Sequence, residues 1–224
     1  MKPGGWPSIV STYAFGVLGA ASVAKFIPLR VELEQIVGAT PAQYAWLIAL
    51  LGIPAAFLAA ASGAVVDRTG PRLALWVSGA IGAFADLAYF LAPSVRAFQV
   101  ARLIEGVALV GTFTAGPALL MATTEGRRRI LAMTFWSTYT PTGFTLGLLL
   151  GGAFAGSPNW RLTFAMHGVL LILATLVAVN LPRLAPIESS ASAAERLKDL
   201  AGAYRSRRCW RYGSCSWAAV PPCC

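Results

Sequence analysis

Charged side chains are scarce in this chain, and most of those present are basic. Only 12% of the 224 residues are charged, with nine acidic residues against 18 lysines and arginines, whereas about 25% is usual in soluble domains. This composition excludes a large soluble core and predicts a polytopic membrane protein. The net charge of +9 does not indicate nucleic-acid binding, because the basic residues cluster at the ends of apolar segments and in the tail.

Motifs of catalysis and metal binding are also missing. There is one histidine, His167, and all four cysteines fall after residue 208 without the paired spacing of zinc sites. No Gly-rich phosphate loop, H-E-x-x-H sequence or nucleophile elbow is present. The apolar segment Val95–Thr123 has no serine, which excludes an intramembrane serine protease of the rhomboid type. We therefore predict no enzyme, no metal and no cofactor.

Long apolar stretches are what the sequence has in abundance. Hydrophobic residues make up 57% of the chain, and its mean hydropathy is +0.65. A membrane-spanning helix needs about 20 such residues. The pattern predicts an all-α bundle of six transmembrane helices within residues 1–186: Ser8–Pro28, Ala42–Val66, Arg72–Ala92, Val95–Thr123, Ile130–Ala155 and Trp160–Leu181.

The positions of the basic residues predict the orientation of this bundle. If the N-terminus is inside, the inner segments hold thirteen of the 18 lysines and arginines, and the outer segments hold four. Cytoplasmic loops carry such an excess of positive charge. We expect a multi-pass protein of the plasma (inner) membrane with both termini in the cytoplasm.

The last part of the chain, residues 187–224, differs in composition from the rest. Ser189–Arg208 has the character of a basic amphipathic segment on the anionic inner leaflet. The four cysteines follow without helical periodicity, and the cytoplasmic position argues against disulfides. One hypothesis is that this tail is translated out of frame, and a natural half-size protein is the alternative. The gene's other frames decide, because the absence of downstream apolar segments would reject a frameshift.

A polar stretch joins the second and third apolar segments. It reads Gly63-Ala-Val-Val-Asp67-Arg68-Thr-Gly70-Pro-Arg72, and its spacing G-x-x-x-D-R-x-G-x-R resembles the signature loop between helices 2 and 3 of the major facilitator superfamily of secondary transporters. The resemblance implies that this stretch acts as a conformational latch rather than as a substrate contact.

The same family resemblance extends over about residues 8–182. It implies one six-helix half of a twelve-helix transporter, built from nested 3+3 inverted repeats, and Arg102 lies where the family carries an arginine motif. In the fifth segment, glycines at helical spacing predict close helix packing, although Leu148 stands where the antiporter pattern G-P-x-x-G-G has proline. The run 136–144 is similar to cyanate-permease-like members. The packing glycines are Gly143, Gly147, Gly151 and Gly152.

The resemblance implies a function for the intact transporter. We expect movement of a small polar or anionic solute across the lipid bilayer by alternating access, coupled to protons as in a symporter. A drug-efflux antiporter half is one alternative, and a truncated, non-transporting membrane remnant is another. The partners implied are the solute and a second half, or a second copy in a homodimer.

Charged residues within the apolar segments are the candidate site residues, because burying charge in a bilayer costs about 2.5–3.5 kcal/mol or more. Arg102 and Glu105 are spaced to pair on one helix face, for solute or proton handling or as a self-neutralised structural pair. Asp86 is a candidate proton relay, with a packing hydrogen bond as the alternative. Lys25 is interpreted as an interfacial anchor, and His167 as a structural residue.

Overall fold

The computed structural model describes residues 4–184, and the predicted features of residues 187–224 lie outside this range. The described part is α-helical throughout and contains no strand. Its helices are α1 (Trp6–Ala24), α2 (Arg30–Gln35), α3 (Pro41–Ala49), α4 (Ile53–Thr69), α5 (Pro71–Leu91), α6 (Val95–Thr123), α7 (Gly126–Ser137), α8 (Tyr139–Phe154) and α9 (Leu162–Ala178), with a 3-10 turn at Leu50–Gly52 between α3 and α4.

Four of the helical stretches in the described residues are long and apolar enough to cross a membrane. They are Trp6–Ala24, Pro41–Ala59, Pro71–Leu91 and Val95–Thr123, and α9 is a shorter apolar helix. The all-helical prediction is confirmed for residues 4–184, while the count of six spans stays a prediction. The short helix α2 was not predicted.

Two prolines explain where predicted spans are interrupted. Proline has no N–H, so the carbonyl four residues earlier loses its helical partner. For Pro141 that carbonyl belongs to Ser137, and the helix breaks at Thr138 between α7 and α8. For Pro54 it belongs to Leu50, where the 3-10 turn begins. Both predicted spans are therefore divided.

The polar stretch of residues 63–72 is not a loop. Helix α4 continues through Asp67 and Arg68 as far as Thr69, and α5 begins at Pro71. Only Gly70 separates them, with φ of 83° and ψ of 143°, a conformation that glycine adopts without steric cost. The prediction of a loop is wrong in this respect, because Asp67 and Arg68 lie in the last turn of α4 and Arg72 lies in the first turn of α5.

Glycines on α8 allow it to lie directly against α1. A Cβ added at Gly143 would overlap the carbonyl oxygen of Val17, and one at Gly147 would overlap that of Ala21. Gly151 meets the Lys25 carbonyl in the same way. Gly152, by contrast, is exposed, and its added Cβ would have nothing within 4 Å. Its grouping with the packing glycines is therefore corrected.

A cluster of aromatic rings fills one end of the bundle. Phe26, in the connection after α1, packs against Tyr89 of α5 with ring centroids 5.0 Å apart. Phe98 of α6 and Phe164 of α9 complete the cluster with centroids 5.8 Å apart. All four side chains are buried. This cluster fixes the relative positions of four elements whose charged residues meet beneath it.

We predict that Gly147→Leu separates α1 from α8, because the added side chain overlaps backbone. Overpacking of this kind costs about 1–3 kcal/mol, which lowers the melting temperature by roughly 2–12 °C. Thermal unfolding of the purified chain in detergent measures the change. Gly152→Leu is the matched control and should leave the melting temperature within error. Equal effects of the two substitutions would contradict the packing described.

Candidate functional site

Five ionisable side chains from four helices meet inside the bundle, and each is 1% exposed or less. The structure brings together the three predicted candidates and adds two residues that were given other roles. We call this group the charge network. Its members are Lys25 at the end of α1, Asp86 of α5, Arg102 and Glu105 of α6, and His167 of α9.

The ammonium of Lys25 lies at the centre of the charge network. Its Nζ donates to Asp86 Oδ1 and to Glu105 Oε1, the latter at 2.6 Å, and lies 3.2 Å from His167 Nδ1. The interpretation of Lys25 as an interfacial anchor is therefore wrong. The sequence places Lys25 at a span end, but the connection that follows folds over it, with Phe26 fully buried.

Arg102 uses its guanidinium to hold three parts of the chain. Its Nε donates to the carbonyl of Leu47 at 2.8 Å, and Nη1 donates to that of Ser22 at 2.9 Å. Nη1 also donates to Glu105 Oε2 at 2.7 Å, so the predicted i,i+3 pair forms. The guanidinium carbon lies 4.2 Å from the Phe26 ring centroid. In this conformation Arg102 is enclosed by acceptors from the chain itself.

The two carboxylates are satisfied in different ways. Glu105 accepts from both Lys25 and Arg102, and its Oε2 also accepts from the Tyr89 hydroxyl at 2.7 Å. Asp86 accepts from Lys25 and lies against the histidine ring instead of the arginine. With neutral histidine, the two cations and two anions cancel. Buried charges need such pairing, because an unpaired one is strongly destabilising.

Both ring nitrogens of His167 face oxygen atoms. Nε2 lies 3.0 Å from the carbonyl oxygen of Leu18, and Nδ1 lies 2.6 Å from Asp86 Oδ2. A carbonyl oxygen only accepts, so Nε2 carries a proton, and the second contact needs a further proton on Nδ1 or on the carboxylate. This assignment follows from the hydrogen-bond network. Such a proton would be one beyond neutral histidine with ionised aspartate, and without it Nδ1 is an acceptor that faces the Lys25 ammonium.

The same side chains have the composition of a metal site. Asp86, Glu105 and His167 place oxygen and nitrogen atoms within 4.8 Å of one another. The ammonium of Lys25 lies among them and contacts all three residues. The cation that this group surrounds is therefore a side chain of the chain itself, and we assign the group to charge pairing.

The end of the bundle nearest the charge network is closed by polar contacts. Arg161, just before α9, donates to the carbonyls of Tyr89 and Phe90 at 3.3 and 2.9 Å. Glu32 of α2 accepts from the backbone N–H of Gly156. These contacts attach α2 and the connection before α9 to the bundle, so the network is shielded on this side.

The predicted conformational residues lie at the other end. Gly63, Asp67 and Arg68 are on the last turns of α4, and Arg72 donates to the carbonyl of Val179 after α9. Asp86 is fourteen positions after Arg72, about 21 Å along a helix. The structure therefore does not bring these residues to the charge network.

The family of this chain follows from its similarity to known proteins. Residues 9–220 match the profile of the Major Facilitator Superfamily. The chain belongs to this superfamily. The resemblance drawn from the polar stretch is thereby confirmed, and the chain is assigned to a family of integral membrane transporters that carry small molecules.

Several members of the superfamily with curated names are similar to this chain. It is 28% identical to the fatty acid resistance protein FarB of Neisseria gonorrhoeae over 58% of this chain and 26% of that protein. It is 24% identical to multidrug resistance protein 2 of Bacillus subtilis over 76% of this chain and 42% of that protein. For the methylenomycin A resistance protein of Streptomyces coelicolor the values are 26%, 71% and 34%. The chain thus spans about a quarter to two fifths of the length of these relatives.

We predict that Lys25→Met destabilises the bundle, because two buried carboxylates lose their shared cation. Removing one partner of a buried ion pair costs about 3–5 kcal/mol, or roughly 6–20 °C in melting temperature for a chain of this size. Thermal unfolding in detergent measures it. Adding Asp86→Asn to Lys25→Met should recover part of the loss.

The control for this substitution is Arg30→Gln, which removes an exposed ion pair with Glu34. Hydrogen bonding to Glu34 raises the pKa of Arg30, but water screens the pair, and we expect no measurable change in melting temperature. A Lys25→Met variant as stable as the parent chain would contradict the role of Lys25.

Proposed function

We propose that this chain is part of a proton-coupled secondary transporter that exports apolar or amphipathic small molecules. One observation carries the proposal: the charged side chains of the network are enclosed, whereas an open cavity beside them is apolar. This cavity has a volume of about 490 Å³ and lies between α1, the α3–α4 segment and α6. Val23, Leu51, Leu109 and Phe113 line it, and the hydroxyl of Thr114 is its polar feature.

Proton coupling in this proposal resides in the pair of His167 and Asp86, with Lys25, Arg102 and Glu105 as the other charges of the network. Binding of the extra proton takes the network from net zero to one positive charge. A buried uncompensated charge is costly, so proton occupancy changes the stability of this packing of α1, α5 and α9. A ligand shifts a conformational equilibrium through such a difference in affinity between the two states.

The complete transporter in this proposal has two bundles. Each bundle has six spans, which are related to one another by nested inverted repeats. Helices α7 and α8 together form the fifth span. The second bundle is a second copy of this chain or a separate half, and it covers the open face of the apolar cavity. In this proposal the protein resides in the plasma (inner) membrane with both termini in the cytoplasm, and the excess of basic residues in the inner segments supports this orientation.

The polar stretch of residues 63–72 has a mechanical role in this scheme. Gly70 joins α4 to α5, and Arg72 attaches the start of α5 to the end of α9 through the carbonyl of Val179. We propose that these contacts, together with Gly63, Asp67 and Arg68, stabilise one of the alternating conformations without contacting the solute.

Export of apolar compounds also agrees with the names of relatives, which are resistance proteins for fatty acids, methylenomycin A and multiple drugs. The second candidate is symport of a small polar or anionic solute, as in cyanate-permease-like members. Arg102, a cation inside the bundle, favours it. That function requires Arg102 to leave the carbonyls of Leu47 and Ser22, which hold it in this conformation.

The test is flux through proteoliposomes that contain the full chain. A pH gradient across the vesicle membrane should drive movement of the amphipathic dye ethidium. His167→Gln should reduce this gradient-driven rate at least tenfold, because glutamine does not bind the proton. Exchange of dye without a gradient should fall much less. Arg30→Gln, which removes a charge outside the network, is the control.

Each result of the flux experiment discriminates. Dye movement that does not respond to the gradient in the parent chain rejects proton coupling. Uptake of a small carboxylate such as acetate, without dye movement, favours the second candidate. Absence of both activities rejects transport by this chain.

We predict that the active form contains two bundles. If the second bundle is another copy, the chain purified in mild detergent should have twice its mass of 23.5 kDa. Light scattering coupled to size-exclusion chromatography measures this mass. A monomer with saturable transport would overturn the two-bundle assembly.

A further inference from the structure

A second cavity lies at the end of the bundle away from the charge network. It has a volume of about 520 Å³ and is formed by the end of α4, the first turns of α5 and the chain after α9. This size falls in the range of about 300–1,000 Å³ that is usual for small-molecule sites. Two arginines, Arg72 and Arg183, line it together with Trp76.

The two arginines give this cavity a positive charge. The guanidinium of Arg72 donates one hydrogen bond to the carbonyl of Val179, and this contact holds its side chain across the cavity. Within residues 4–184, neither Arg72 nor Arg183 has a carboxylate within 4.0 Å. Guanidinium groups present a planar fork of N–H donors that matches a phosphate. The cavity therefore has the chemistry to bind a phosphate group.

The rest of the lining is apolar or amphipathic. Leu73, Val179 and Leu184 contribute aliphatic surface, and the indole of Trp76 is 42% exposed. Tryptophan is enriched at the level of lipid headgroups, where its ring meets both apolar and polar surroundings. Such a lining suits an amphipathic ligand better than a free inorganic ion.

An apolar groove continues from this cavity along the bundle. The groove has a volume of about 340 Å³, is lined by side chains of α4, α5 and α6, and shares Thr69 and Leu73 with the cavity. Along α5 it extends from Leu73 to Ile81, about 12 Å at the rise of a helix. A cationic cavity that opens into an apolar groove of this length has the shape of a headgroup site followed by an acyl-chain site.

We propose that this cavity and groove bind one anionic phospholipid, with its phosphate between Arg72 and Arg183 and one acyl chain along α5. A helix of another protein would fill the groove but would leave the two guanidinium groups without a counter-charge. The proposal does not depend on what the transporter carries, because the site lies apart from the charge network.

The experiment titrates the purified, delipidated full chain with phosphatidylglycerol and measures binding by native mass spectrometry. Each arginine near an anionic lipid is worth roughly fivefold in affinity. We expect Arg72→Gln with Arg183→Gln to weaken binding about 30-fold. The matched control removes two exposed arginines that do not line the cavity, Arg96→Gln with Arg127→Gln, and should change affinity less than about threefold. Equal losses in the two pairs would overturn the proposal.

Further arms identify the ligand and cover loss of folding. If Arg72→Gln does not fold, Arg183→Gln alone should weaken binding about fivefold. Val77→Trp fills the groove and should weaken phosphatidylglycerol binding at least fivefold while leaving glycerol 3-phosphate binding unchanged. Inorganic phosphate that binds as tightly as the lipid would show an ion site instead. A change in oligomeric mass with unchanged lipid affinity in Val77→Trp would show that a protein helix occupies the groove. Either result overturns the proposal.

Discussion

The contact of one ammonium with two carboxylates determines how this bundle is built. Lys25 donates to both Asp86 of α5 and Glu105 of α6 at the point where α1 ends, and Arg102 supplies the second positive charge. The Tyr89 hydroxyl also donates to Glu105, and the His167 ring contacts Asp86. None of these charges is exposed. Because a buried charge is tolerated only with its partners, the helices that supply the partners must stay together. The aromatic cluster and the connection after α1 then exclude water from the network.

The network and the glycine contacts act on the same helix. Small residues let α8 lie against one side of α1, while the other side of α1 faces the charges of α5, α6 and α9. Packing against α8 depends on the fit of small residues to backbone, whereas the contacts on the other side are made by charged and polar groups, through Lys25 and the Leu18 carbonyl. Helix α1 is thus attached by close backbone packing on one side and by ion pairs and hydrogen bonds on the other.

The sequence identifies the helical class, the family and three of the five charged residues, because apolar length and local spacing are visible along the chain. Asp86, Arg102 and Glu105 stand out as charges inside apolar segments. Lys25 and His167 received other roles, because their importance comes from partners 61 to 142 residues away. The loop expected at residues 63–72 is mostly helix, because a few charged or polar residues at the end of an apolar segment do not by themselves end a helix. Proline alone does not predict the breaks beside Pro54 and Pro141, because α6 continues through Pro117.

The one-residue connection at Gly70 limits how α4 and α5 can move. Only the φ and ψ angles of Gly70 lie between the last turn of α4 and the first turn of α5. The two helices therefore cannot slide past each other along their axes. Any motion of α4 relative to α5 must be a change of angle about this point. Arg72, two residues later, is hydrogen-bonded to the carbonyl of Val179 after α9, so a tilt of α5 would also move α9. The relative orientation of α4, α5 and α9 at this end therefore depends on Gly70. A residue with a side chain at position 70 would restrict the angle between α4 and α5.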